Sequence, residues 1–238
     1  MPHPLESRYR AVWEATRTNK QLSAEGVARS RFFFEFGAAH CETPVPKRFH
    51  TCAIVCGLPF PASVQRAFED VWQRCLAVLD HPLSYGVEPA NRHTEVFLLQ
   101  EPHERFASQA MAAAVQATVR AAQTTRAFRV AYRFPFMTPD GTIVVPGFDA
   151  PYGTVDALRS RLKASAIPCP EKQSQWFHVS LGRILDPIRE TRLKPLLDLT
   201  ESHWGEVITE VTIGELLWIW EKQWYMVDRE VLSRIQLE

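Results

Sequence analysis

Long hydrophobic runs, an excess of either charge and an even set of cysteines are all missing from this chain of 238 residues. No segment approaches about eighteen consecutive apolar residues, so no membrane-spanning helix is expected. Met1 to Arg8 lack a basic patch followed by an apolar core, so no secretory leader is read there. The 27 basic and 27 acidic residues cancel. That balance argues against a long duplex as partner, because sequence-neutral binding to duplex is driven by phosphate neutralisation. A nucleotide or a short RNA end stays compatible with it. The five cysteines are odd in number and unevenly spaced, unlike a secreted disulfide framework. Cys52 and Cys56 lie in an apolar run with no further Cys/His pair at matching spacing, which suits a packed strand better than a metal site. The expectation is a cytoplasmic, monomeric protein with reduced thiols, no membrane partner and no required metal or other cofactor.

What is present is an alternation of helical and extended patterns. Residues 5 to 30 read as a helical appendage, with Leu5, Tyr9, Val12 and Trp13 near helical spacing. An extended run from Phe49 to Cys56 closes at Gly57 and Pro59-Phe60-Pro61. It places His50 in an apolar strand as a packed residue. Ser63 is positioned to cap a helix through Leu79. Further strands are expected at 92–99, 128–134, 142–148 and around His178, with helices at 104–122, 154–162 and 187–199. Pro139-Asp140-Gly141 reads as a turn, and two closing strands are expected at 207–220 and 223–229. Alternating strands and helices imply layered α/β (α+β) packing. The two histidine-bearing strands follow helices in similar places, which suggests two related lobes. The domain reading is a helical extension over 1–46 and a bilobal domain over 47–238.

The segment Gln175-Trp176-Phe177-His178-Val179-Ser180-Leu181-Gly182-Arg183 carries the chemistry. Residues i and i+2 of a strand share a face, so His178 and Ser180 project together while Phe177, Val179 and Leu181 face the other layer. An imidazole that exchanges protons near neutral pH, beside a hydroxyl that donates to a phosphate oxygen, is half of a phosphoester site. One His-x-Ser/Thr is also about what chance supplies in a chain of this composition. A structural histidine on a strand is the rival reading, and the aromatic pair before His178, the apolar residue at each alternate position and Arg183 five residues on weigh against it. A second histidine, His93, heads another strand 85 residues earlier. Its same-face neighbour is Glu95, not a hydroxyl.

These two segments resemble the paired His-x-Ser/Thr motifs of the two-histidine (2H) phosphoesterase superfamily, which includes bacterial LigT-like 2′,3′-cyclic phosphodiesterases. His178-Val179-Ser180-Leu181-Gly182-Arg183 is similar to the family's second motif, and His93-Thr94-Glu95-Val96-Phe97 to a degenerate first one. The resemblance implies two pseudo-symmetric lobes of antiparallel sheet with flanking helices around a central groove. It also implies metal-independent hydrolysis of a cyclic nucleotide or a 2′,3′-cyclic phosphate RNA terminus. His93 and His178 would exchange protons, and Ser180 would hold a phosphate oxygen. Arg183 is a further candidate, although i+5 from His178 puts it on the opposite face of an unbroken strand. Phe177, Trp176 and Tyr152 are candidates for stacking on a base.

Glu95 is the departure. An ionised carboxylate about 4 Å from a phosphodiester costs roughly 1 to 4 kcal/mol. Either it is protonated, orients His93 or binds a cation, or the substrate is not an ordinary phosphodiester, or Glu95 is an outward salt-bridge residue. His93, Glu95 and His178 also match a two-histidine, one-carboxylate set for non-haem iron, with Arg183 facing an acidic cosubstrate. The helices between the histidines fit the double-stranded β-helix of such oxygenases poorly. A third reading is a nucleotide or RNA-end binder that has lost catalysis.

Overall fold

The computed structural model describes residues 3–36, 44–100, 108–165, 169–171 and 173–238. The chain opens with α1 (Pro4–Asn19), α2 (Ala24–Arg31) and a small ribbon of β1 (Phe34–Glu35) and β2 (Val45–Pro46). Then come β3 (Arg48–Cys56), α3 (Ala62–Val78), β4 (Ser84–Gly86), β5 (Thr94–Gln100) and α4 (Ser108–Gln123). A hairpin region follows, with β6 (Phe128–Arg133), β7 (Phe136–Met137) and β8 (Thr142–Ala150). The last part holds α5 (Thr154–Ala164), β9 (His178–Ile184), α6 (Glu190–Ser202), β10 (Val207–Ile213), β11 (Glu215–Gln223) and β12 (Arg229–Gln236).

The strands run β10-β6-β8-β9-β5-β3-β11-β12, all antiparallel along this path. The centre is nearly open: β9 and β5 share only the pairing Thr94↔Val179. Two four-stranded lobes therefore meet along a seam, and the histidine-bearing strands are the innermost of each. Outward from the seam, β9, β8, β6 and β10 correspond to β5, β3, β11 and β12. The helices complete the symmetry. α3 packs on β9, β10 and α6, while α5 packs on β5, β8 and α4. This is the bilobal α+β arrangement expected.

The amphipathic stripe of α3 explains its placement: Val64, Phe68, Val71, Trp72 and Cys75 are all buried, as the 3.6-residue period requires of a core-facing face. Ser63 does not cap this helix. Pro61 holds the N-cap position with no side-chain hydrogen bond, and the fixed φ of proline pre-sets the turn instead. His50 is exposed rather than packed, tilted 5.6 Å from Trp220, because the outer end of β3 alternates before burial becomes continuous.

Residues 5 to 30 form two helices, and the first is no loose appendage. Leu5, Tyr9 and Trp13, four apart, are at most 3% exposed and belong to the principal core. The Tyr9 hydroxyl accepts from the Phe177 amide at 3.0 Å and donates to the Phe177 carbonyl. It thereby supplies the Phe177 amide with an acceptor and adds a second donor to a carbonyl that already accepts from the Gly147 amide at 2.8 Å. The expected strand 207–220 is broken at Gly214 into β10 and β11, so three strands close the fold. Leu216, Leu217, Trp218 and Ile219 are all buried. The helix expected from 104 is described from Ser108 onward. Cys41 lies outside the described residues, and the other four thiols are free. Among the described residues no helix is long and apolar enough to cross a membrane.

Candidate active site

His93 and His178 line one cavity of about 180 Å³ over the seam, together with Glu95, Ser180, Arg183, Ser174, Val87, Glu221, Trp224 and Tyr225. Strand register explains the meeting. Thr94↔Val179 pairing sets the two histidines at equivalent ends of the two inner strands. Thr94 itself turns away: its hydroxyl lies 2.8 Å from the Tyr132 hydroxyl in the core. It does not replace the hydroxyl that Glu95 displaces.

Arg183 lies on the site face, contrary to the parity expected of i+5. In the β8–β9 pairing Val144 opposes Ser180 and Ile143 opposes Gly182, so Leu181 is an extra residue. A bulge of this kind reverses the alternation beyond it. His178, Ser180 and Arg183 consequently share the half-buried face while Val179 and Leu181 are buried. Gly182 permits the close packing behind: a Cβ there would stand 2.3 Å from the Tyr85 carbonyl oxygen and 2.6 Å from the Trp72 ring. The same shift occurs in β5, where Val55 opposes Glu95 and Ile54 opposes Phe97. Leu98 thus takes the place in the first lobe that Arg183 takes in the second.

Arg183 is held on several sides. Its guanidinium pairs with Asp140 at 2.8 Å, donates to Ser30 at 3.0 Å and to the Tyr225 hydroxyl, and lies 4.7 Å from the Phe33 ring. Burial opposes charge on Asp140, yet Arg183 and the Thr138 and Thr142 donors hold its carboxyl below the ordinary range. The expected turn at 139–141 has a structural purpose: it aims a carboxylate at the arginine. The Ser180 hydroxyl has no hydrogen-bond partner among the described residues and opens into the cavity.

The electrostatics favour neutral groups. Burial, reinforced by His93, Arg159 and Arg183 as positive neighbours, pushes the His178 imidazole down to about 4. Burial also lowers His93, opposed by a hydrogen bond of 2.8 Å between Nδ1 and the Asn91 carbonyl. That acceptor requires the Nδ1 hydrogen, which leaves Nε2 as the exchangeable position. Burial raises Glu95, with Arg159 opposing. Glu221 is raised to about 8, by burial first and by the negative charge of Glu95. Its Oε1 accepts from the Met226 amide at 2.9 Å.

Glu221, Trp224, Tyr225, Ser174 and Val87 were not among the residues expected in the site. Glu221 follows the apolar run Leu216–Trp220 at the polar end of β11, beside Lys222 and Gln223, and nothing in that pattern marks it for the site. The turn after it could not be read, because Tyr225 and Met226 are non-glycine residues at φ 61° and 58°, a backbone state that costs about 1 to 2 kcal/mol per residue. That turn lays Met226 over Ala53, Val55, Leu217 and Ile219, walling the first lobe's side.

Two expected contacts are corrected. Phe177 is fully buried in the core on the opposite face from His178, as strand alternation dictates. Tyr152 is 62% exposed at the turn before α5, edge-on to His3 at 4.8 Å, and does not line the cavity. Trp176 touches His178 edge-on at 5.4 Å but likewise does not line it. The iron-oxygenase alternative loses its scaffold: the sheet is open and bilobal rather than a double-stranded β-helix. Among the described residues no group of three or more His, Cys, Asp or Glu is placed to hold a metal ion.

No family model and no curated protein matches the sequence. Solved structures do match its shape. TT0787 of Thermus thermophilus superposes with a TM-score of 0.52 at 14% identity, covering 79% of this chain and 97% of that one. Escherichia coli LigT complexed with 3′-AMP gives 0.51 at 13% identity, covering 79% and 98%. A conserved protein of unknown function, ATU0111 of Agrobacterium tumefaciens, gives 0.51 at 16% identity, covering 79% and 86%. Two lobes related about a seam, a histidine at the start of each inner strand, and this superposition together make the fold that of LigT.

Proposed function

We propose that this chain is a two-histidine phosphodiesterase that opens the cyclic phosphate of a nucleotide or of an RNA 2′,3′-cyclic terminus. The observation that carries the reading is the convergence of His93 and His178 on one cavity beside the free hydroxyl of Ser180. LigT, which shares the fold, has been captured with 3′-AMP and with phosphate. Residues 47–238 form the catalytic domain in this reading, and 1–46 are an extension built onto it.

The histidines divide the proton transfers by environment. His178, held neutral with a lone pair available, is the general base that takes a proton from the attacking water. His93 has its imidazolium supported by the Asn91 carbonyl and is the general acid for the leaving ribose oxygen. The anionic substrate supplies the negative charge that restores its proton. Ser180 donates to one non-bridging oxygen, and Arg183 neutralises charge at the same end. Glu95 and Glu221 are compatible with a phosphate because burial favours their neutral forms; a carboxylic acid donates a hydrogen bond where a carboxylate repels. The test is hydrolysis of 2′,3′-cyclic nucleotides with chelator present. Wild-type turnover that disappears in His93→Ala and in His178→Ala, with both variants folded, is expected. Equal turnover in wild type and both variants overturns the reading.

A further inference from the structure

Ser30 stands behind the positively charged end of the reacting cavity without lining it. The helix that carries it presses on the turn before β8: a Cβ on Gly26 would stand 2.6 Å from the Pro139 carbonyl oxygen, so the missing side chain is what lets α2 approach. Ser23 caps this helix, accepting from the Gly26 amide at 3.1 Å. Ser30 lies four residues beyond Gly26, hence on the same helix face, and is fully buried. Its hydroxyl joins the turn to the arginine: it donates to the Asp140 carbonyl and accepts from Arg183 Nη1 at 3.0 Å.

The next residues reach Arg183 a second time. The Phe33 ring lies 4.7 Å from the guanidinium and, edge-on, 4.5 Å from Trp224. Phe34 stacks on Tyr225 at 5.9 Å, and the Tyr225 hydroxyl accepts from Arg183 Nε. Backbone bonds tie this aromatic set together: the Lys47 amide donates to the Phe33 carbonyl at 2.9 Å, and the Trp224 amide to the Lys47 carbonyl at 3.1 Å. Two guanidinium nitrogens are thus committed, Nε to Tyr225 and Nη1 to Asp140 and Ser30. Nη2 has no hydrogen-bond partner among the described residues, and Arg183 lines the cavity beside His178 and Ser180. A guanidinium is planar with its donors in a rigid fork, so fixing two nitrogens fixes the direction of the third.

We infer that Ser30 and Phe33 are positioning residues for the reaction: they turn Arg183 so that its uncommitted nitrogen meets the anionic group. Residues 1–46 then supply part of the working site and are more than an addition to its outside. This rests on the phosphodiesterase reading of the cavity, in which Arg183 is the fixed positive charge.

The experiment measures kcat and KM for a 2′,3′-cyclic mononucleotide, and the affinity for inorganic phosphate, in wild type, Ser30→Ala, Phe33→Leu and Ser23→Ala. Ser30→Ala removes a hydrogen bond to a charged group and is expected to raise KM and weaken phosphate binding about tenfold, with kcat changed less than about threefold. Phe33→Leu removes the ring beside the guanidinium and is expected to act in the same sense, more weakly. Ser23→Ala loosens the same helix by deleting its cap, yet touches none of the partners of Arg183, so wild-type constants are expected. Unchanged constants in Ser30→Ala, equal weakening in Ser23→Ala, or a loss confined to kcat overturns the inference while leaving the two-histidine chemistry in place. If Ser30→Ala does not fold, Phe33→Leu, at a half-buried position, carries the same comparison. If wild type turns over no cyclic nucleotide, the reading of the cavity fails instead, and inorganic phosphate decides the positioning role. Binding weakened in Ser30→Ala but not in Ser23→Ala then sustains it; equal binding in all the proteins, or none in wild type, refutes it.

Discussion

Glu221 offers the sharpest test of the site's electrostatics, because its effect can be read without a substrate. Its carboxyl is 7% exposed, bonded to the Met226 amide and raised to about 8 from an ordinary 4.5. The folded state thus keeps a proton that the unfolded chain has already released. Its contribution to stability is fully present below about pH 4.5 and is lost as pH rises toward 8. Three and a half units at 1.36 kcal/mol each make that loss about 4 to 5 kcal/mol. His178 works in the other sense: depressed to about 4, it favours the fold less as pH falls from 6.5 toward 4. In wild type the two terms oppose each other between those limits, so only a difference measurement isolates the carboxyl. Glu221→Gln keeps an acceptor for the Met226 amide and removes the titration. Urea or thermal unfolding of both proteins from pH 4.5 to 9 is expected to show the variant gaining on wild type by about 4 kcal/mol across the range. For a chain of this size that is roughly 10 °C or more in Tm. Parallel curves for the two proteins would mean that Glu221 is ionised in the fold, and the argument for neutral carboxyls beside the phosphate would fall with it.

Glu95→Ser restores a hydroxyl at the position equivalent to Ser180. It is expected to remove one fall of kcat/KM with rising pH, because burial raises the Glu95 carboxyl and its ionisation in wild type puts a repelling charge beside the phosphate. Profiles that decline identically would assign the fall elsewhere. Asp140→Asn deprives Arg183 of its 2.8 Å ion pair; KM for a cyclic phosphate is expected to change by about tenfold, with Arg183→Lys worse because its one ammonium cannot reach Asp140, Ser30 and Tyr225 together. Steady-state kinetics of the two variants check this. Gly182→Ala forces a Cβ toward the Tyr85 carbonyl and Trp72, and overpacking of that kind costs about 1 to 3 kcal/mol, measured by denaturant unfolding.

Much of the architecture was legible because periodicity reports which face is buried. The α3 stripe and the strand around His178 followed from spacing, and the 139–141 turn from its Pro-Asp-Gly residues. Details fixed by partners distant in sequence were not legible. Pro61 rather than Ser63 starts α3 because a neighbouring proline sets the backbone. Residues 5–30 looked detachable because nothing in them reveals that the Tyr9 hydroxyl would serve the backbone of Phe177, 168 residues away. The break at Gly214 was hidden within an apolar run whose period suits one strand as well as two.

The candidate site shows the same division, and its failures have a common cause. His93, His178 and Ser180 were found because they obey the two-residue period of a strand. Arg183 was placed on the wrong face because the period was extended through a bulge, and a bulge leaves no mark in an unaligned sequence except a glycine nearby. Gly182 was that mark. The bulge in β5 is the stronger argument that this irregularity belongs to the site rather than to one strand. Both inner strands break register just past the second residue after the histidine, Glu95 in one and Ser180 in the other. The lobes therefore present His-x-Ser with Arg183 on one side and His-x-Glu with Leu98 on the other. The backbone symmetry has been kept where the side-chain symmetry has not. The second lobe brings the hydroxyl and the fixed positive charge, while the first brings a histidine, the half-buried Glu95, the buried Glu221 and an apolar wall. Charge is concentrated at one end of the cavity, which orients an anionic group before any proton moves.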